Sequence, residues 1–310
     1  MARYVAKRFG YMLFTLWIII TLTFMMMHAL PGDPFIKDNR KIPPAVLANL
    51  KIKYGLDKPL YEQYYVYMKN LAHGDLGVSM RSQSRTVNEM ISGHFPISAE
   101  LGLWALVYAV IGGLALGIMA ALHRNKWPDF LAMMVAVVGV SVPGFVLGTL
   151  MQWLFSVNLK ILPVAGWSTP QSRILPALML GLGTLALNAR MMRSSMLDVL
   201  AQDYIKTARA KGLSPGEVVW RHAIRNAMLP IVTILGPVIV NLTTGSLIIE
   251  AVFGIPGLGK YYVQAITDND YTLILGTTVF YAALLIAALF LVDIAYGLVD
   301  PRIRLVRGKA

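Results

Sequence analysis

The sequence predicts an all-α, polytopic membrane protein with six transmembrane helices, and three observations lead to this prediction. Hydrophobic residues make up 56% of the 310-residue chain and charged residues only 14%, whereas a soluble domain would carry about a quarter charged residues. Several uncharged runs are long enough to cross the hydrocarbon core of a bilayer. Outside the first long loop, the cations are concentrated in alternate segments between these runs, as the positive-inside rule requires.

The first uncharged run is Phe9–Leu30, and three cations precede it. At about 1.5 Å per residue, a helix over this run would span roughly 33 Å, enough for a bilayer core. The alternative is a secretory signal peptide, whose apolar region is about 7–15 residues and ends in a small-residue cleavage site. Because Ala29-Leu30-Pro31 fits such a site poorly, we predict an uncleaved first transmembrane helix with its N-terminus inside.

The segment Pro31–Pro96 is rich in proline, tyrosine and charge, and it separates the first run from the second. We predict short helices after prolines at Pro43–Tyr54 and Pro59–Ala72. Four tyrosines of the second helix suit an interfacial position, with ordinary packing and a ligand surface as alternatives. They are Tyr61, Tyr64, Tyr65 and Tyr67.

Five more spans follow this segment. Four of them lack any formal charge: Leu101–Leu122, Phe130–Leu159, Asn226–Ile249 and Tyr271–Val292. The fifth, Ile174–Ala189, has only 16 uncharged residues, but its flanking arginines can snorkel to the membrane surface. Prolines within or at the ends of these helices predict kinks against neighbouring helices. They are Pro143, Pro176, Pro230 and Pro237.

The distribution of charge predicts that both termini lie inside. With the N-terminus inside, the inner segments hold 16 Lys and Arg and the outer segments 12, of which 9 lie in the long first loop. Since the rule is weak for long loops, the short loops contrast 16 cations inside with 3 outside. The net charge of +12 therefore indicates orientation and contact with anionic lipid headgroups, and no nucleic acid is expected as a partner.

The candidate catalytic motifs fail on their spacing or context. Gly254–Lys260 matches the first seven positions of a P-loop, but Tyr261 replaces the Ser or Thr that would hold magnesium. The motif also follows a predicted transmembrane helix instead of a strand. The five histidines share no metal-like spacing. The chain has no Cys, which excludes a disulfide framework and a thiolate metal site.

Two further features of the sequence bear on chemistry within the membrane. The stretch Gly139-Val-Ser141-Val142 lacks the last glycine of an intramembrane serine protease motif. Glu100 and Asp293 are the only acids that we place within or at the edge of a span, where ionisable residues are functional candidates. We expect both to anchor helix ends, with a proton relay as the alternative.

The polar and mostly basic segment Asp203–Pro230 lies between apolar runs and predicts two short helices. Asp203 at the start of the first helix and Lys211 at its end follow the order that the helix dipole favours. Gly212 suits the left-handed position just past a helix end. We expect the small Ala208 and Ala210 to leave this helix narrow enough to lie in a partner's groove.

The second helix of the segment is predicted to begin immediately after the glycine. Ser214, Pro215 and Glu217 are the N-cap, the first helical residue and the acid of a capping box. The cations of the whole segment would keep it out of the lipid.

This segment also resembles a known family. YIKTARAKG followed by HAIRNAMLP is similar to the EAA loop of bacterial ABC importer permeases. The particular residues resemble those of the B-type permease subunit of oligopeptide and dipeptide importers. Aligned on Gly212, the family's Glu-Ala-Ala falls on Lys206, Thr207 and Ala208, so the acid of that motif is absent. The phrases PGDPF, YGLDKPLYEQY, VFGIPGLGKYYVQAI and DIAYGLVDPRIR resemble the same subunit, and together they extend over nearly the whole chain.

The resemblance implies a type I ABC importer permease fold and a place in a larger machine. The implied partners are a second homologous permease subunit, two ABC ATPase subunits and an extracytoplasmic peptide-binding protein. This chain would bind no cofactor, because ATP and Mg²⁺ would be held by the ATPases. The implied location is the bacterial cytoplasmic (inner) membrane.

The resemblance also assigns a coupling helix and turn that would sit in a groove of an ATPase. Its residues are Asp203, Tyr204, Ile205, Lys206, Thr207, Ala208, Arg209, Ala210, Lys211, Gly212 and Ser214. The expected division of the chain is a tail and first transmembrane helix at 1–30, an extracytoplasmic region at 31–96, a permease core at 97–299 with a cytoplasmic coupling loop at 190–228, and a cytoplasmic tail at 300–310.

Peptide import, which the resemblance implies, has three alternatives. Related permeases move nickel complexes or glutathione, and selectivity in such systems resides largely in the binding protein. A proton-coupled secondary transporter would require paired ionisable groups near mid-membrane, and the sequence places none clearly there. The failed motifs disfavour an intramembrane enzyme, so no catalytic residue is predicted.

Overall fold

The computed structural model of the chain describes residues 2–29, 34–35, 43–82 and 84–299, with the backbone alone for 2–4 and 292–299. Within these ranges the fold is all-α, and an isolated bridge between Val78 and Thr86 is the sole strand-like pairing. In chain order the helices are α1 Ala2–Ala29, α2 Pro44–Lys53, α3 Leu60–Ala72, α4 Val87–Leu122, α5 Trp127–Ser141, α6 Gly144–Met151, α7 Ile174–Leu200, α8 Asp203–Ala210, α9 Pro215–Glu217, α10 Ile224–Ala227, α11 Leu229–Thr243, α12 Leu247–Val252, α13 Leu258–Thr267 and α14 Tyr271–Val299.

Membrane-spanning length is reached in two ways. Four helical stretches are long and apolar enough to cross a bilayer on their own: Val5–Ala29, Val87–Leu122, Pro170–Leu200 and Tyr271–Leu291. Two more candidates are bent pairs, Trp127–Ser141 with Gly144–Asn158 at 110° and Pro215–Ala227 with Leu229–Thr243 at 50°. The chain is therefore a multi-pass membrane protein, and it has six spans if each bent pair is one span.

Several helix ends differ from those that hydropathy predicts. Helix α4 begins at Val87, well before the predicted Leu101, and continues through Pro96. Helix α7 begins at the predicted Ile174 but continues past Arg190 and ends only at Leu200. Both extensions carry polar or charged residues, which hydropathy treats as the end of a span although they can stay helical beyond the membrane core.

The predicted third span, Phe130–Leu159, is broken instead of merely kinked. Helix α5 ends at Ser141, and Pro143 serves as the N-cap of α6. Proline has no N–H to continue the hydrogen-bond ladder, and it disfavours helical geometry in the residue before it. Beyond α6, a π-helical turn covers Gln152–Asn158.

The predicted span Asn226–Ile249 is interrupted twice. Its start belongs to α10, which bends into α11 at Met228. The far end of α11 is followed by Gly245 at φ +84° and then by the separate helix α12. The continuous apolar run therefore holds parts of three helices.

One compact unit of the chain comprises Met1–Pro96 and Gly257–Ala310. The two predicted loop helices are present as α2 and α3, each with proline as its N-cap. Tyr64 and Tyr67 of α3 pack their rings against Phe24 of α1, while Tyr61 and Tyr65 are exposed. Burial raises the pKa of the Tyr67 phenol above its usual range. Ordinary packing within the unit therefore accounts for the positions of two of the four tyrosines, Tyr64 and Tyr67.

Asp270 fixes the start of α14 in the same unit. It is buried, and its carboxylate accepts hydrogen bonds from the hydroxyl of Ser79 at 2.5 Å and from the backbone N–H groups of Met80 at 3.1 Å and Leu273 at 3.0 Å. A buried carboxylate is tolerated when its oxygens are satisfied in this way. Asp270 therefore joins the loop before α4 to the last helix.

The other compact unit is Ile97–Pro256. Helices α4 and α7 approach closely where α4 carries glycine: a Cβ at Gly113 would lie 2.8 Å from the carbonyl oxygen of Leu185, and one at Gly117 would lie 2.6 Å from that of Ala189. Small residues are the usual means by which membrane helices come into backbone contact. This contact helps to position α7, which leads directly into the polar segment.

Candidate functional site

Helix α8 buries one narrow face and exposes the rest. Of its eight residues, Ile205 and Ala208 are buried, and their spacing of three places them on one side of the helix. The other six residues are exposed. A helix of two turns is marginal in water on its own, so contacts with the rest of the chain must hold it in place.

A small apolar core supplies those contacts. Ile205 and Ala208 pack with the buried Val218, and Val199 and Leu213 complete the cluster from the end of α7 and from the turn after α8. Full burial of a side chain such as Ile205 is worth about 1.5–3 kcal/mol. The core therefore joins α8 to α7 and to the helix that follows. Ala208 is used within the chain itself, and of the two small alanines Ala210 is the exposed one.

The turn after α8 has the hydrogen bonds of a Schellman motif. The N–H of Gly212 donates to the carbonyl of Arg209 at 3.0 Å, and the N–H of Leu213 donates to that of Ala208 at 3.3 Å. Gly212 has φ +81°, the left-handed conformation that this motif places just past the helix end. The predicted left-handed glycine is confirmed.

The predicted capping box of the second helix is also present. The N–H of Ser214 donates to the carboxylate of Glu217 at 3.0 Å, and the N–H of Glu217 donates to the Ser214 hydroxyl oxygen at 3.3 Å. Pro215 occupies the first helical position. The helix continues through a π-helical turn at Val218–Ala223 into α10. Both ends of the connection are therefore fixed by local chemistry.

A long-range hydrogen bond that the sequence did not predict also holds α8. The side-chain amide of Asn226 donates to the hydroxyl oxygen of Tyr204 at 2.9 Å. The sequence analysis places Asn226 both in the polar segment and at the start of a predicted span, and neither placement pairs its amide with Tyr204. Lys206 and Asp203 form an ion pair at 2.8 Å between exposed side chains, and such surface pairs contribute little to stability.

The exposed surface of the segment is suited to binding. Lys206, Arg209 and Lys211 are exposed together with Asp203, so the surface offers several hydrogen-bond donors and an excess of positive charge. In the described part of the chain, no group of three His, Cys, Asp or Glu residues could hold a metal ion. The exposed donors and positive charge of this surface can bind a complementary groove of another protein.

A buried ion pair lies at the start of α5. Asp129 is only 2% exposed, and its two oxygens accept hydrogen bonds from Nε and Nη2 of Arg193 at 2.6 and 2.7 Å. One of them also accepts the N–H of Asn125 at 3.0 Å. Bidentate pairs of this kind are strong and directional. Asp129 thus joins the turn before α5 to the final third of α7.

Our prediction that Glu100 and Asp293 are the only acids at span edges is wrong. Asp129, Glu250 and Asp270 immediately flank predicted spans, and all three are buried. Glu250 accepts a hydrogen bond from the hydroxyl of Ser98 at 2.7 Å. Each of the three acids stands one residue outside an uncharged run, as Glu100 and Asp293 do, so the same criterion applied to every run would have included all five.

Glu100 has the contacts of an anchoring residue. Its carboxylate forms an ion pair with Nε of Arg173 at 2.8 Å and accepts a hydrogen bond from the indole N–H of Trp167 at 3.1 Å. The guanidinium of Arg173 also lies over the Trp167 ring, 5.4 Å from its centroid. The side chain of Asp293 lies outside the described part of the chain.

The segment with the P-loop-like sequence does not have the structure of a P-loop. It follows helix α12 instead of a strand, and Gly254 has φ +62° in the turn after that helix. Ile255 is buried, and α13 begins at Leu258. Lys260 is exposed on this helix.

Comparison with known proteins identifies relatives along almost the whole chain. The dipeptide transport system permease protein DppB of Bacillus subtilis (strain 168) is 50% identical over 305 residues, which cover 98% of this chain and 99% of the relative. The oligopeptide transport system permease protein OppB of Haemophilus influenzae is 41% identical over 306 residues, covering 98% and 100%. DppB of Lactococcus lactis subsp. cremoris is 41% identical over 305 residues, with the same coverage.

Two solved structures share the fold. The structure of an amino acid ABC transporter with histidines has a TM-score of 0.54 at 15% identity, covering 68% of this chain and 95% of its own. An inward-facing structure of the MetNI methionine ABC transporter has a TM-score of 0.54 at 17% identity, covering 68% and 96%. At these identities the likeness concerns the fold alone.

Family models cover both parts of the sequence. The model described as the binding-protein-dependent transport system inner membrane component matches residues 113–305. A model of the N-terminal part of such membrane components matches residues 1–101. The chain therefore belongs to the family of binding-protein-dependent transport system inner membrane components.

Proposed function

We propose that the chain is the permease subunit of an ATP-driven importer that moves short peptides across the bacterial cytoplasmic membrane. The observation that carries this proposal is the 50% identity to a dipeptide permease along nearly the full length of both chains. The exposed, capped helix α8 supports it, because an importer needs a surface through which a separate energy source acts.

The energy source lies on other subunits. The family consists of ABC transporter permease subunits, which are not enzymes themselves. We therefore infer that two ABC ATPases hold ATP and Mg²⁺, that a second homologous permease completes the pathway, and that an extracytoplasmic binding protein delivers the peptide. This chain contributes membrane-spanning helices and a docking surface.

Helix α8 is the coupling helix of this proposal. Its exposed residues, which include Lys206, Thr207 and Arg209, would lie in a groove of one ATPase. Its buried face is tied through Ile205 to Val199 at the end of α7. A displacement of α8 would therefore be passed to α7 without a flexible linker, since the two helices are separated by only two residues.

The proposed topology has six spans with both termini in the cytoplasm. The coupling loop 190–228 then faces the ATPases, and the region 31–96 with α2 and α3 faces the binding protein. The excess of Lys and Arg in the short inner segments supports this orientation.

Transport in reconstituted vesicles tests the proposal. The chain is assembled with its partner permease, ATPases and binding protein, and uptake of labelled di-, tri- and pentapeptides is measured with and without ATP. Peptide uptake that requires ATP and persists with a proton ionophore is expected. Uptake abolished by the ionophore would instead indicate a proton-coupled transporter, and transport of a nickel complex or glutathione without peptide would overturn the substrate class.

A further inference from the structure

A polar pocket of about 520 Å³ lies beside the start of helix α8, within the unit Ile97–Pro256. It is formed by the turn after α4, the last two turns of α7 and the residues that lead into α8. Its lining residues are Arg124, Arg193, Ser194, Leu197, Asp198, Ala201 and Gln202. In this set, donors for an anion lie together with one carboxylate.

Arg193 is held ready to bind an anion. Its guanidinium has five N–H donors, and the carboxylate of Asp129 uses one on Nε and one on Nη2. Three donors are therefore left after this bidentate contact. Because Asp129 is buried, it fixes the arginine in place and lowers the entropy that a ligand would have to remove on binding.

Arg124 and Ser194 add further donors to the same pocket. Arg124 is exposed and can form bidentate hydrogen bonds with a phosphate, and Ser194 offers a hydroxyl. Asp198, also exposed, supplies a carboxylate. Since Asp129 balances the charge of Arg193, Arg124 and Asp198 leave the set with one cation and one anion, which is complementary to a ligand that carries both a phosphate and an ammonium group.

The surroundings of the pocket indicate a membrane interface. Trp127 is 74% exposed and Phe130 is 67% exposed at the start of α5, and Asp129 between them is bonded to Arg193. Aromatic residues at helix ends mark the level of lipid headgroups. Basic pockets between membrane helices on the cytoplasmic side are sites for such headgroups, and the charge distribution predicts that these helix ends are cytoplasmic.

We propose that this pocket binds the headgroup of an inner-leaflet phospholipid that carries a phosphate and a primary ammonium group, as phosphatidylethanolamine does. Arg124, Arg193 and Ser194 bind the phosphate, and Asp198 binds the ammonium group. Because the pocket also includes Ala201 and Gln202, directly before α8, the bound lipid steadies the junction that positions the coupling helix.

Lipid binding to the purified, delipidated complete importer tests this proposal without reference to transport. Phosphatidylethanolamine or phosphatidylglycerol is titrated in neutral detergent, and bound lipids are counted by native mass spectrometry. We expect Arg124→Gln to weaken the tight site for both lipids by about tenfold, since it removes charge-assisted hydrogen bonds. We expect Asp198→Asn to weaken phosphatidylethanolamine alone, because phosphatidylglycerol has no ammonium group.

Lys126→Gln is the matched control, because it removes an exposed cation from the same turn but outside the pocket. Thermal melting of each variant checks its folding, and Arg124→Lys should retain most of the binding. If Lys126→Gln weakened lipid binding as much as Arg124→Gln does, the effect would be one of general surface charge and the proposal would be overturned. An equal effect of Asp198→Asn on both lipids would overturn the headgroup assignment. Competition by free phosphoethanolamine at the lipid's own concentration would make the site one for soluble phosphate esters.

Discussion

At Gly212 the backbone conformation limits substitution, and the space around the residue does not. A Cβ at this position would meet nothing within 4 Å, yet the backbone has φ +81°. A residue with a Cβ costs on the order of 1–2 kcal/mol in the left-handed region, and a β-branched residue costs more. The effect of substitution therefore falls on the turn, and through it on the angle at which α8 is presented.

We predict that Gly212→Val inserts into the membrane and pairs with the partner permease but couples poorly to the ATPases. Transport and the ATP hydrolysis stimulated by the binding protein should fall together, because in the proposed function both require α8 to lie in an ATPase groove. Co-purification of the ATPases and stimulated hydrolysis in reconstituted membranes measure this.

Gly216→Val is the control for this prediction. Gly216 lies in the same exposed segment and also has open space around it, but its φ is not positive. The control should couple nearly as well as the unsubstituted chain. If Gly212→Val also couples normally, the turn is not the point of transmission.

Residue-level predictions from the sequence succeeded where the chemistry is local. Ser214 and Glu217 are three positions apart, and their capping box needs only that spacing. The bond between Asn226 and Tyr204 and the pair of Arg193 with Asp129 join residues 22 and 64 positions apart. Only the packing of whole helices brings such residues together, so no local pattern could have identified them.

At the scale of helices, the pair of Asp129 with Arg193 holds α5 to α7. Removing one partner of a fully buried ion pair costs about 3–5 kcal/mol. The Arg193 side chain is 27% exposed, so solvent screens part of this interaction. We predict that Asp129→Asn lowers the free energy of unfolding by about 2 kcal/mol, measured by denaturation of the purified chain in detergent.

Glu100→Gln is the matched control for Asp129→Asn. Glu100 also pairs with an arginine of similar exposure, but the Glu100 side chain is 40% exposed and that of Asp129 only 3%. We expect a loss below about 1 kcal/mol. Asp129→Arg and Arg193→Asp should each lower the free energy of unfolding when introduced alone. The variant that carries both changes should recover part of the loss that either one causes. Equal losses for Asp129→Asn and Glu100→Gln would show that burial does not strengthen the first pair.

The sequence predicted the existence of helices better than their continuity. Pro143 was expected to kink a span, and the chain instead turns by 110° there. Pro237 lies inside α11, which continues past it. The same residue type thus has different outcomes, because neighbouring helices decide whether the freed carbonyl is satisfied.

For the whole molecule, the uncharged runs and the excess of inner cations predict six spans with both termini inside. This chain has no Cys, so single cysteines can report the side of the membrane directly. Lys69→Cys in the predicted outer region and Gly216→Cys in the predicted inner loop are both at exposed positions. An impermeant maleimide should label the first from outside intact cells and the second only after permeabilisation. Labelling of both from the same side would refute the orientation.

The turn at Val142–Pro143 has a consequence for how the cell must produce this chain. Pro143 has no N–H, so the carbonyl of Gly139 cannot receive the bond that a continuing helix would give it. Lipid offers no substitute donor, and irregular backbone at membrane depth is tolerated only against protein or water. Within this chain the Gly139 carbonyl lies against α7, where a Cβ at Gly183 would stand 4.0 Å from its oxygen. The break is therefore tolerated only once α7 has packed against α5, so α5 and α6 cannot settle in the bilayer as an independent span before α7 is made.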